Sequence, residues 1–135
     1  MTLLDFVASV YHKRVTAPGG LGGQCVDLSN LYIIDAYSLP PVRANAVDWQ
    51  RQKLPGFLWV SNGPTNSPSP GSLCVWNPSK DIGVGQYGHI AIALSADSMH
   101  FLSLDQDWWV QQCIPVLHDY KGLAGWHSPL TPLGG

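Results

Sequence analysis

The stop at Leu39-Pro40-Pro41 divides this chain. Helical spacing precedes it, and short strand patterns broken by turn formers fill most of the chain beyond it. Proline ends a helix because it lacks an N–H and its ring clashes with the preceding turn. Before the stop, residues 2 to 12 carry Leu3, Leu4, Phe6, Val7, Val10 and Tyr11 at helical spacing, with Thr2 as N-cap. A second helix is expected from about Gln24 to Tyr37, apolar on most sides, as suits a helix buried against a sheet. After the stop, a short helical piece is expected over 44–52 and strands near 57–60, 73–77, 89–95, 99–105, 109–116 and 123–127. Between the first two strands, residues 62–71 make a loop of Asn, Gly, Pro and Ser. Two helices and then a run of strands predict an α+β fold, with N-terminal helices packed on an antiparallel sheet of about five to six strands.

Composition narrows the function classes. A chain of 135 residues suits one domain with a real core, and 45% apolar against 12% charged residues argues against disorder. A formal net charge of −2 without clustered Lys and Arg gives no footing for nucleic acid. All nine acids are Asp, a poor helix former that favours caps and loops. No window of about 18 apolar residues exists, so no membrane span is expected. The start Met1-Thr2-Leu3-Leu4-Asp5 lacks a basic n-region, so no signal peptide is read and the chain looks made for the cytoplasm. Three cysteines without CxxC spacing argue against a disulfide framework or structural zinc. Cys74, in Ser72-Leu73-Cys74-Val75-Trp76, reads as a buried strand residue, while Cys113 is ambiguous. Residues 1–129 form the expected domain, and 130–135 read as a frayed tail or the start of a linker.

Three segments carry chemistry. Gly22-Gly23-Gln24-Cys25-Val26-Asp27 sets a cysteine on the first turn of the second helix, after a glycine run. Gly88-His89-Ile90-Ala91-Ile92 opens a strand with a histidine, and Leu104-Asp105-Gln106-Asp107 closes the next strand with two carboxylates. A thiol attacks only as thiolate. The helix N-terminus and an imidazolium at His89 would both favour that form at Cys25. The Cys25 N–H, with the Gln24 side chain as a second donor, would hold an oxyanion. His89 shares a face with Ala91 and Ala93, which predicts space above the sheet for a substrate. Asp105 and Asp107 alternate toward one face and Gln106 toward the other, so a hairpin over 89–105 would bring Asp105 to His89. Each segment also has a plain structural reading: a buried thiol, a surface histidine and a turn-forming Asp. Of the other histidines, His100 is the rival, because it begins a strand.

Taken together these segments resemble the CHAP family, papain-like cysteine, histidine-dependent amidohydrolases and peptidases that cut bacterial peptidoglycan. The likeness runs through Gly-Gln-Cys-Val-Asp at 23–27, Pro70-Gly71-Ser72-Leu73, Gly88-His89-Ile90-Ala91-Ile92, Asp105-Gln106-Asp107-Trp108 and Gly125-Trp126-His127-Ser128-Pro129. It implies Cys25 as nucleophile, His89 as base and Asp105 as the orienter, with Asp107 standing where the family usually supplies Asn. It implies a phage or prophage lysin, made in the host cytoplasm and acting on the wall. Such a lysin works free with a wall-binding domain or among other virion proteins. The substrate would be an N-acetylmuramoyl-L-alanine amide or a stem or cross-bridge peptide bond. The alternative is an inactive structural module of a virion that keeps the fold. Several phage members bind calcium in an Asp-rich loop before the nucleophile, together with the Asp two residues after it, which is Asp27 here. Here Val15 to Gly23 has no carboxylate, so no metal and no other cofactor is expected.

Overall fold

Thr2 starts the first helix in the way its sequence dictates. Its hydroxyl accepts from Asp5 N–H at 3.0 Å and the Asp5 carboxylate accepts from Thr2 N–H at 2.9 Å, a reciprocal capping box. In the computed structural model, which describes residues 1–133, α1 runs Leu3–Val10 and α2 runs Cys25–Tyr37. α2 ends at Ser38, left-handed at φ 56°, so the chain has already turned before the two prolines. A 3₁₀ turn covers Ala46–Arg51, and a second, not expected, covers Lys80–Ile82.

The rest of the described residues supply six strands: β1 (Phe57–Ser61), β2 (Leu73–Trp76), β3 (His89–Ala96), β4 (Phe101–Asp105), β5 (Ile114–His118) and β6 (Leu123–Pro129). They form one antiparallel sheet in the order β1-β6-β2-β3-β4-β5, the α+β arrangement expected. Alternation gives the sheet two buried faces. Leu73, Val75, Ile90, Ile92 and Leu104 pack against Phe6, Val10, Leu28, Tyr32 and Ile33 of the helices. Each such side chain contributes about 1.5–3 kcal/mol through burial. The other face gathers Cys74, Trp76, Ala91, Ala93, Phe101 and Trp126. No helix among the described residues is long and apolar enough to cross a membrane.

Two expectations are corrected. Ala91 and Ala93 are fully buried under that aromatic layer, so their small size makes room for indole rings and not for a substrate. The strand expected at 109–116 begins later, at Ile114, because residues 107–112 bend away from the sheet. Of the expected tail, Leu130, Thr131 and Pro132 are exposed and Leu133 packs on the main core, while 134 and 135 lie outside the described residues.

Candidate active site

The loop that delivers Cys25 is built around one carboxylate. Asp27, buried on the first turn of α2, accepts from Ala17 N–H (3.0 Å), Gly22 N–H (2.9 Å) and Gln24 N–H (3.1 Å). Gly20 is needed because a Cβ there would lie 1.8 Å from Asp27 Oδ1. Buried Gln106, just past β4, ties the same loop from the far side. Its Oε1 accepts from Val15 N–H (2.8 Å), and its Nε2 donates to Val15 O (3.1 Å) and Gln24 O (2.8 Å). Cys113 is buried and donates its thiol to the same Oε1 at 3.5 Å, which gives that cysteine a packing role. Cys25 is half-buried at the helix start, and as its first residue it leaves its N–H without an intrahelical acceptor.

His89 opens β3 and is 4% exposed. Gly88 before it adopts φ 72°, and a Cβ there would meet Trp76 O at 2.6 Å, so only glycine allows this approach to β2. The His89 Nε2 lies 2.8 Å from Asp105 Oδ2. An ionised carboxylate only accepts, so Nε2 carries a proton and Nδ1 is left for a second partner. The Cys25 thiol lines the same cavity as this ring and acts on its charge. Burial pushes the imidazole toward neutrality, but Asp105 and Cys25 outweigh it and hold its pKa up at about 9.

Asp105 is fully buried. Register places it with Ser103 and Phe101 on the face shared by Ala93 of β3 and by Val116 and His118 of β5. Its Oδ1 accepts from the Ser103 hydroxyl. Its Oδ2 is shared by His89 and by His118, whose Nε2 lies 3.0 Å away. Burial raises the carboxyl pKa, and the hydrogen bonds from His118 and His89 more than offset this, holding it below its usual 3.8.

Asp107 does not accompany Asp105. β4 ends at Asp105, and Asp107 turns left-handed at φ 66° with its N–H bound to Val110 O at 2.9 Å. The two-residue alternation is broken, and only Asp105 bonds His89. Asp107 instead lines a cavity of about 600 Å³ with Gln24, Cys25, Asn45, Tyr87 and His89. A smaller cavity of about 190 Å³ continues past His89 and Asp107 to Trp108 and Trp109. The open space therefore lies at the start of β3, beside the thiol. Gln24 and Cys25, the expected oxyanion donors, both face it. His100, the rival histidine, is exposed, its N–H binds Asp97, and it lines neither cavity.

Sequence reading missed His118 and Ser103. The signal for His118 was present in Ile114-Pro115-Val116-Leu117-His118, where Val116 and His118 are buried and Leu117 exposed. The calcium position does not suit a cation either. Both Asp27 oxygens accept backbone N–H groups, which aim positive dipole ends where the ion would sit.

Against known proteins, the CHAP domain model matches residues 15–107, a span holding Cys25, His89, Asp105 and Asp107. The chain belongs to the CHAP family. A crystal structure of the wild-type endolysin LysIME-EF1 superposes at a TM-score of 0.78, with 25% identity over 96% of this chain and 64% of the endolysin. The crystal structure of Ly7917 superposes at 0.68 with 15% identity, over 95% of this chain and 61% of that one. Ly7917 with the hydrolysing product of MDP superposes at 0.64 with 15% identity, over 94% and 60%. This CHAP chain thus spans about three-fifths of each of those proteins.

Proposed function

We propose that this CHAP domain hydrolyses an amide bond of bacterial peptidoglycan with Cys25 as nucleophile. The reading is supported above all by His89, whose ring is held by Asp105 and shares the wall of an open cavity with the Cys25 thiol. The CHAP match and the endolysin likeness supply the substrate class.

In the first step Cys25 thiolate attacks the amide carbon, and the carbonyl electron pair moves onto oxygen. The Cys25 N–H and the Gln24 side-chain amide stabilise that oxyanion. As it collapses, the C–N bond breaks and the leaving amine takes the proton from His89 Nδ1. A thioester joins Cys25 to the acyl fragment. Water then attacks the thioester and gives its proton to the same nitrogen, and the C–S bond breaks to return thiolate and release a carboxylic acid. Asp105 keeps the Nε2–H tautomer throughout, so Nδ1 handles every proton. Asp107, on the cleft wall and off the imidazole, contacts substrate.

The bond cut is muramoyl-L-alanine or one within the stem or cross-bridge. The enzyme acts at the wall as a lysin of a phage or prophage, alone or with a wall-binding domain or virion partners. Purified protein incubated with cell walls should release new amine and carboxyl termini, identified by mass spectrometry, while Cys25→Ala releases none. No release by the wild type, or equal release by Cys25→Ala, contradicts the reading.

A further inference from the structure

We propose that His118 is a positioning residue for the hydrolysis: by donating to Asp105 Oδ2 it fixes the carboxylate that in turn orients His89. This rests on the Cys25–His89 pairing under Proposed function. The geometry is specific. Both imidazoles reach one oxygen, at 2.8 Å from His89 and 3.0 Å from His118, while Ser103 holds the other. With His118 donating, the carboxylate plane has three fixed donors and no freedom to rotate away from His89. Without it, Oδ2 keeps one side-chain donor in a fully buried site, and an under-satisfied buried carboxylate moves or takes up a proton.

His118 is itself placed without slack. Its ring lies between Trp76 (4.7 Å), Trp108 (4.7 Å, edge-on) and Phe101 (5.3 Å, stacked), and Trp76 and Trp108 also flank His89 at 5.2 and 4.9 Å. Two histidines in one aromatic cage sharing one acceptor is more than core packing requires, since an apolar side chain on β5 would fill the same space. The titratable groups facing this cage are Asp105 from β4, His89 from β3, Cys25 from α2, Cys74 from β2 and Tyr120 after β5.

Glutamine and asparagine separate positioning from packing. Gln sets its amide nitrogen near the place of Nε2 and keeps the donor, whereas Asn sets it near Nδ1 and falls short of Asp105. His118→Asn should lower kcat on cell walls about tenfold with KM little changed, the loss of part of one charged hydrogen bond. Its acid-side loss of activity should move to higher pH, because Asp105 then protonates sooner. His118→Gln should restore most of the rate and the wild-type acid limb. Alkylation of Cys25 by iodoacetamide, measured against pH in the same three proteins, needs no wall substrate and should show the same order. Equal behaviour of the two variants, both intact or both impaired, overturns the proposal. Ordered alkylation without any wall cleavage by the wild type sinks the peptidoglycan reading and leaves the positioning role standing.

Discussion

Asp27 and Asp105 are both buried carboxylates fully engaged by hydrogen bonds, yet they do opposite work. Asp27 is satisfied by three backbone N–H groups, which cannot titrate and belong to one loop. Asp105 is satisfied by Ser103, His89 and His118, side chains from three strands, two of which can change charge. Backbone donors make a carboxylate architectural, holding the chain before Cys25 in one shape. Titratable donors make it responsive, because every proton moved on His89 is felt at Asp105. Asp27 on α2 thus sets a rigid anion near the thiol, and Asp105 on β4 a responsive one against the imidazole.

Substituting each acid by its amide is the strongest way to break that contrast. Asp105→Asn should cut wall hydrolysis by roughly 10⁴-fold with the fold retained by circular dichroism, the size seen when a triad carboxylate loses its charge. Asp27→Asn should act mainly on stability. It loses about 1.5–3 kcal/mol per charged hydrogen bond broken, or roughly 5–15 °C of melting temperature in a domain of this size. The contrast fails if Asp105→Asn melts early while retaining its turnover. Next in size, Gln106→Ala removes the tether from β4 to the Cys25 loop and should lower kcat about tenfold at a cost of roughly 1–3 kcal/mol.

The pH dependence sharpens the same contrast. His89 is held up to about 9 from 6.5. Its contribution to stability is therefore complete below 6.5 and disappears as pH rises through about 9. Asp105 is held below 3.8, so its contribution is present above 3.8 and is lost as pH falls through its folded value. Melting temperature should thus be highest from about pH 4 to 6.5 and decline on both sides. Asp105→Asn should flatten both limbs. The smallest effect is expected at the cleft wall, where Asp107→Asn should raise KM up to about fivefold and leave kcat in place, as for a solvent-facing charge.

Much of this was legible in the sequence because local rules and tertiary demands agree. Thr2 with Asp5 marks a helix start, and the apolar run after Cys25 is covered on most sides. His89 and Asp105 share a face through plain strand alternation. The features that were not legible arise from backbone turns and from strand pairing. The left-handed backbone at Asp107 ends the alternation, so the second carboxylate points elsewhere and β5 starts late. His118 becomes a neighbour of Asp105 only through the pairing Phe101↔His118, which no local pattern on β4 announces. Ala91 and Ala93 looked like the floor of a cleft, but Trp76 and Trp126 come from strands paired beyond β3 and fill that space.

The most direct measurement is the rate of Cys25 alkylation by iodoacetamide between pH 5 and 9 in the wild type and in His89→Ala, read peptide by peptide beside buried Cys74 and Cys113. A Cys25–His89 ion pair requires fast labelling of Cys25 well below neutrality in the wild type and its collapse in His89→Ala. If both proteins label slowly and climb about tenfold per pH unit toward 8.5, as an isolated thiol does, then Cys25 and His89 do not work as a pair.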